Sequence, residues 1–202
     1  MTPEIDGILL AAGESRRMGY PKPLLKIGDQ LFVQRTAATI LAVAGRLVIV
    51  LGAHAGRIRR EIPADERIVV AENPDYLRGQ LSSLKVGLAR MRSAATAVIV
   101  HLGDHPLVTP ATFRAIIDGY ARSGKPIVIA RHGGRRGHPV LFDRSVFAEL
   151  AAAPEDEGAR VIVNADPARI VYIDVDDPGV VLDLDTPADL KLAGLPPPPV
   201  GE

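Results

Sequence analysis

Between Leu9 and Leu25 the chain reads LLAAGESRRMGYPKPLL, setting Gly13, Gly19, Arg16, Arg17 and Lys22 between two apolar runs. Glycines let backbone N–H groups close on an anion, and the three cations supply charge to neutralise a polyphosphate. The spacing excludes the common phosphate loops. Lys22 is not followed by Ser or Thr, and Gly13 and Gly19 fit neither G-x-x-x-x-G-K-[ST] nor G-x-G-x-x-G. An ordinary loop with solvated cations is the competing reading; the apolar strand directly before it weakens that reading.

Four further stretches carry usable side chains. In VIVHLGDHP, Asp104 follows an apolar run, and a carboxylate at a strand end near a cationic loop suits a magnesium ligand in a nucleotide site. A simple Asx turn before Pro106 is the alternative. In NPDYLRGQLSSLKVGL, Asn73 ends a strand, Gly79 permits close approach, and Ser82 and Ser83 open a helix whose N-terminus can take an anion or a base edge. In GRRGHPVLF, Arg135, Arg136 and His138 lie on a glycine-rich segment able to meet a phosphate. In DVDDPGVVLDLDTPADL, Asp183 and Asp185 precede the last helix, and one of them can complete a metal site with Asp104.

These residues need a frame. Apolar, β-branched runs at GILLAA, LVIVLG, RIVVA, AVIVHL, PIVIAR and RIVYIDV read as strands. Helical stripes separate them: Ala37, Ile40, Leu41 and Ala44; Leu81, Leu84, Leu88 and Met91; and Phe113, Ile116, Ile117 and Tyr120, with Thr109 as cap, Pro110 in the first turn and Gly124 beyond the end. Strands apolar at nearly every position, alternating with helices, predict an α/β fold with a doubly wound, mostly parallel sheet. After Arg131 the glycine-rich RHGGRRGHPVLF predicts a small β-flap or hairpin. Helical material is expected from Asp143 to about Asn164, interrupted at Pro154. Thr186, Pro187 and Asp189 announce the last helix and Gly194 ends it. Residues 1–194 are expected to form one domain, and 195–202 a mobile proline-rich tail. Ligands of such a sheet bind at the carboxyl ends of its strands, where the polar stretches above fall.

Composition sets outer bounds. The 202 residues are 47% hydrophobic, enough for one sizeable core, and the formal net charge is zero, so nothing in the global balance points to nucleic acid or an anionic membrane. With no cysteine, disulfides and thiolate metal sites are excluded. The start MTPEIDGILL lacks the pattern of a signal peptide, and no apolar run nears the roughly 20 residues of a membrane span. A cytoplasmic protein is expected.

Taken together, LAAGESRRMGYPK, NPDYLRGQLSSLKVGL, GDHP, GRRGHPVLF, PEDEGAR and DLDTPADL occur in the order of the MobA-like nucleotidyltransferases. Within that family the chain most resembles the molybdenum cofactor cytidylyltransferases, over nearly its whole length except the tail. The resemblance implies a Rossmann-like nucleotidyltransferase fold. It places Leu10, Ala11, Ala12, Gly13, Arg17 and Lys22 at the nucleotide, with Lys22 on the phosphates, and Asn73, Gly79, Ser82 and Ser83 in the segment closing over it. It makes Asp104 a Mg2+ ligand, Asp185 a second one, and Arg136, Gly137, His138 and Pro139 the acceptor element. The catalytic set is then Lys22, Arg17 and Asp104. Two departures stand out: His105 where the branch often has Gln, and Pro154–Glu155 before Asp156 where a Gly is common.

The implied reaction moves a cytidylyl group from CTP to the terminal phosphate of molybdopterin, releasing pyrophosphate, with a molybdoenzyme or its chaperone as a further partner. Ala12 bears on the base, since LAAG accompanies cytidylyl and LAGG guanylyl transfer in this family. The alternatives are another nucleotide such as GTP, another phosphorylated acceptor, or a non-catalytic cofactor-carrying chaperone. A nicotinamide oxidoreductase of the Rossmann type would want an acid ending the second strand, and LVIVLGAH has none.

Overall fold

The computed structural model describes residues 4–155 and 157–199; Asp156 of the PEDEGAR motif lies outside them. In chain order the elements are β1 (Ile5–Ala11), β2 (Lys26–Ile27), β3 (Gln30–Leu31), α1 (Phe32–Leu41), β4 (Arg46–Leu51), α2 (Ala55–Arg60), β5 (Ile68–Glu72), α3 (Gln80–Leu88), β6 (Ala97–Leu102), α4 (Pro110–Ser123), β7 (Ile127–His132), β8 (Arg135–Asp143), α5 (Phe147–Ala152), α6 (Arg160–Ala165), β9 (Ile170–Asp174) and α7 (Pro187–Leu192). Seven strands make the main sheet, in the order β5-β4-β1-β6-β8-β7-β9. Only β8 runs against the others. The doubly wound, mostly parallel α/β sheet expected from the sequence is therefore present.

The two faces explain the uninterrupted apolar runs. On β4, Leu47, Ile49 and Leu51 enter one core with Val33, Ala37 and Ile40 of α1. Val48 and Val50 point the other way, into a second core with Leu81 and Leu84 of α3. Alternate side chains serve opposite layers, so no position is left for a polar residue. Each such side chain, fully buried, stabilises the fold by about 1.5–3 kcal/mol.

The hairpin after Arg131 forms as β7 and β8, turning at Gly133 and Gly134, whose φ values are 54° and 77°. Its second strand is more than a flap. Val140, Leu141 and Phe142 are buried between β6 and β7 in the middle of the sheet. The inserted antiparallel strand thus carries the GHP element to the carboxyl end of β6.

Two caps behave differently. Thr186 and Asp189 form the expected capping box at α7. Thr109 makes no side-chain cap at α4. Its hydroxyl instead donates to Asp177 Oδ2, which also accepts from the Thr109 amide and the Thr112 hydroxyl. The buried carboxylate accepts that hydroxyl's hydrogen bond as one of several, which offsets the cost of holding its charge out of water. Asp177 thereby ties the start of α4 to the turn at residues 178–181.

A third, small cluster joins Met18, Leu25 and Phe32 to Leu184 and Leu190, with Leu195 packed against it. It clamps the loop after β1 onto the segment before α7. The described part of the proline tail lies along the body, where Pro196, Pro197 and Pro199 line a groove with Tyr20 and Leu24. Among the described residues no helix is long and apolar enough to cross a membrane.

Candidate active site

At the carboxyl ends of the central strands the chain gathers four charged side chains. The Gly103 amide donates to Leu10 O (2.9 Å), aligning the turn after β6 with the loop after β1. Asp104 emerges from that turn. Lys22 Nζ lies 2.8 Å from Asp104 Oδ2 and 2.7 Å from Asp185 Oδ1. Arg17, largely exposed, pairs with the other Asp185 oxygen. The Lys22 amide donates to Ser15 Oγ (3.0 Å), and Ser15 itself has a φ of 55°, so the loop backbone under Lys22 is fixed. Burial pulls the Lys22 ammonium down, but Asp104 and Asp185 outweigh it and hold it above the ordinary lysine range. Burial likewise pushes the Asp104 carboxyl up, while Lys22 prevails and keeps it below the usual range.

Beside this cluster lies a cavity of about 210 Å³, lined in part by Leu10, Ala11, Ala12, Gly13, Lys22 and Asp104. Gly79 and Ser83 line its far wall. Gly79 sits at φ 106°, a conformation that L side chains rarely adopt, and the turn it makes starts α3. The other two residues expected there face inward. Asn73 is buried and donates to Ser82 Oγ and Ser83 Oγ, while Ser82 donates to Gly79 O. Asn73 and Ser82 therefore brace the turn rather than line the cavity, because an amide and a hydroxyl so buried must satisfy each other.

A larger cavity of about 620 Å³ adjoins it, with Leu10, Gly79, Gln80 and Leu102 lining both. Its floor is apolar, from Val100, Val140 and Phe142 among others; Arg135, Arg136 and Arg160 stand on its rim. Gly137 and His138 line it, whereas Pro139 is buried and does not. A Cβ on Gly137 would stand 1.9 Å from Val180 O, so this strand and the turn at 178–181 meet only because residue 137 has no side chain. Burial, reinforced by His105, pushes His138 down to about 4. His101 beneath them, buried and with His138 and His105 nearby, is pushed down to about 3.

Asp183 and Asp185 separate here. The Leu184 amide donates to Asp104 O (3.1 Å), holding the two segments side by side. Asp185 then meets Lys22, while Asp183 Oδ1 meets His105 Nε2 at 2.6 Å on the side of the larger cavity. His105 Nδ1 faces Gly179 O at 3.2 Å.

The cluster fits a hard divalent cation. Asp104 Oδ1 is buried without a hydrogen-bond partner among the described residues, which leaves an oxygen donor available. No group of three or more potential ligand residues occurs among those residues. Magnesium-type ions in nucleotide sites take one or two carboxylates and fill the remaining positions with water and phosphate oxygens, so the Asp104–Asp185 pair suffices.

Residues 7–170 match the model of the MobA-like NTP transferase domain. The chain belongs to that family. It is 26% identical to the molybdenum cofactor cytidylyltransferase of Escherichia coli, over 94% of this chain and 95% of that protein. It is 33% identical to the nicotine blue oxidoreductase of Paenarthrobacter nicotinovorans, over 91% and 93% of the two chains. Among solved structures, Rv0371c of Mycobacterium tuberculosis superposes with a TM-score of 0.81 at 34% identity, covering 96% of this chain and 98% of that one. A structure of the same protein in complex with manganese gives a TM-score of 0.72 at 33% identity, covering 94% and 97%.

The structure brings together Lys22, Asp104, Asp185 and Arg17 in one cluster, with Leu10, Ala11, Ala12, Gly13, Gly79 and Ser83 around the smaller cavity and Arg136, Gly137 and His138 around the larger. Ser15, Gln80 and the His105–Asp183 pair escaped the sequence reading. Ser15 carried a usable signal, as the residue directly between two charges in the glycine loop. Gln80 had none beyond its place after Gly79.

Proposed function

We propose that this protein transfers the cytidylyl group of CTP to the terminal phosphate of molybdopterin, with pyrophosphate as the second product. The observation carrying the reading is the seam: a small cavity walled by Lys22 and Asp104 opens beside a larger one rimmed by arginines, with Asp185 and Asp183 on either side of it. The 26% identity to a cytidylyltransferase over almost the full length supports the same assignment.

The acceptor phosphate monoester is ionised near neutral pH, its second pKa being about 6, and needs no general base. One of its oxygens attacks the α-phosphorus of CTP; that P–O bond forms as the bond from the α-phosphorus to the bridging oxygen breaks, and the electron pair leaves with pyrophosphate. The chain's task is to hold two anions in line and offset their charge. Lys22 and Arg17 bind the triphosphate, the loop from Ala11 to Gly13 receives it, and the Arg135–Arg136 strand with Arg160 draws in the acceptor. Asp104 and Asp185 would hold Mg2+, which when bound neutralises charge on the phosphate oxygens. Ala12 lines the smaller cavity, where in this reading its methyl disfavours a purine.

The test is incubation with each nucleoside triphosphate, MgCl2 and molybdopterin, followed by mass identification of the dinucleotide. The cytidine dinucleotide is expected, with CTP preferred over GTP and the preference narrowed in Ala12→Gly. Equal use of both by the wild type removes the role of Ala12. Absence of any dinucleotide rejects the reading and returns attention to redox chemistry of the kind named for the 33% identical relative.

A further inference from the structure

The ammonium of Lys22 sits between the two carboxylates that fit a divalent cation, 2.8 Å from one and 2.7 Å from the other. One side chain cannot neutralise Asp104 and Asp185 and lie on a triphosphate at once. We infer that Lys22 and the divalent cation compete for the same carboxylate pair, so that the cation binds weakly on its own and firmly only when a triphosphate draws Lys22 away. The inference rests on the metal assignment made above and adds an exchange of cations to it.

Three features favour an exchange of one side chain over a movement of the loop. Met18 and Leu25, on either side of Lys22, are packed in the cluster with Phe32, Leu184 and Leu190. The Lys22 backbone is anchored through its amide to Ser15 Oγ. The lysine stem carries four rotatable carbons, and Lys22 and Asp104 both line the smaller cavity, so the ammonium can leave the carboxylates for an anion there without backbone change. Electrostatics gives the exchange its sign. Two carboxylates side by side repel unless a cation lies between them; Lys22 supplies that cation, and a divalent ion must displace it. A triphosphate offers the ammonium a new partner and offers the ion its own oxygens. Linkage then requires the coupling to be reciprocal: the ion tightens triphosphate binding by the factor by which triphosphate tightens ion binding.

The test measures Mn2+ binding by electron paramagnetic resonance or calorimetry, with no acceptor present. For the wild type, Mn2+ alone is expected to bind weakly, and inorganic triphosphate to strengthen binding at least about tenfold, beyond the affinity of the free triphosphate for the ion. Lys22→Met, which keeps the stem and removes the charge, is expected to bind Mn2+ alone at least about tenfold more tightly than wild type. That gain should vanish on adding Asp104→Asn, and Lys22→Gln serves in its place if the methionine variant does not fold. Mn2+ binding that depends on Asp104 but is equal or weaker in the lysine variants overturns the exchange and leaves the metal assignment standing. Absence of Asp104-dependent Mn2+ binding in every protein, with triphosphate present, overturns the metal assignment and the exchange together.

Discussion

The two adjoining cavities are built on different physics. The smaller is walled by backbone turns and a charged cluster in which Lys22 bridges Asp104 and Asp185. The larger has an apolar floor, arginines on its rim and in its wall one histidine, His138, that burial pushes down to about 4, with His101 beneath at about 3. One side gathers its charge in its wall, the other sets an apolar floor beneath a charged rim. In the proposed reaction the first would bear the reacting groups and the second the body of the acceptor.

The largest effect should fall on the charged side. Asp104→Ala is expected to lower kcat/KM for nucleotidyl transfer about 100- to 1000-fold. The fold should survive, because Leu184 binds the backbone oxygen of Asp104 rather than its side chain. Steady-state kinetics with a circular dichroism melt checks both halves; activity near wild type would remove Asp104 from the chemistry.

Gly137→Ala should act on the other side. The added methyl meets Val180 O and must part β8 from the turn at 178–181, costing about 1–3 kcal/mol in urea unfolding. Activity should change through the KM of the acceptor, with the nucleotide KM unmoved. If both change equally, the two cavities are not separable in function.

The smallest effect is on pH dependence and sharpens the contrast. The folded pKa of His101 is depressed, so between pH 6.5 and about 3 the unfolded chain binds more protons than the folded one. Stability from this residue is complete above 6.5 and falls as pH drops, by roughly 1 kcal/mol per unit from 6.5 to 5. The charged cluster behaves otherwise. The depressed Asp104 loses its contribution only as pH falls through its folded value, and the raised Lys22 only as pH rises through its own, so neither changes between pH 5 and 8. Urea unfolding at a series of pH values should show the slope in the wild type and a flatter profile in His101→Asn. An unchanged slope would place the pH dependence elsewhere.

Much of this was legible in the residues. Runs such as LVIVLG specify strands buried on both faces, and Gly13 and Asp104 fall just past strand ends, with Lys22 farther along the loop after β1, so their place near the sheet's carboxyl edge follows from local pattern. Asn73 and Ser82 show the limit of such reading. Their types suit a ligand as well as they suit each other, and only the turn at Gly79 decides that they face inward. Asp183 and Asp185 are two residues apart in one acidic run, with nothing local to separate them. The hydrogen bond from Leu184 to Asp104 does so, sending one toward His105 and the other toward Lys22.

By itself, then, the sequence determined the sheet, the loop at its carboxyl edge and the chemical types gathered there, because hydrophobic period and turn chemistry act over a few neighbouring residues. Tertiary structure alone decided which charges meet. Lys22 lies 82 residues from Asp104 and 163 from Asp185, and their encounter depends on β1 and β6 lying side by side and on α7 packing back onto the loop that carries Lys22.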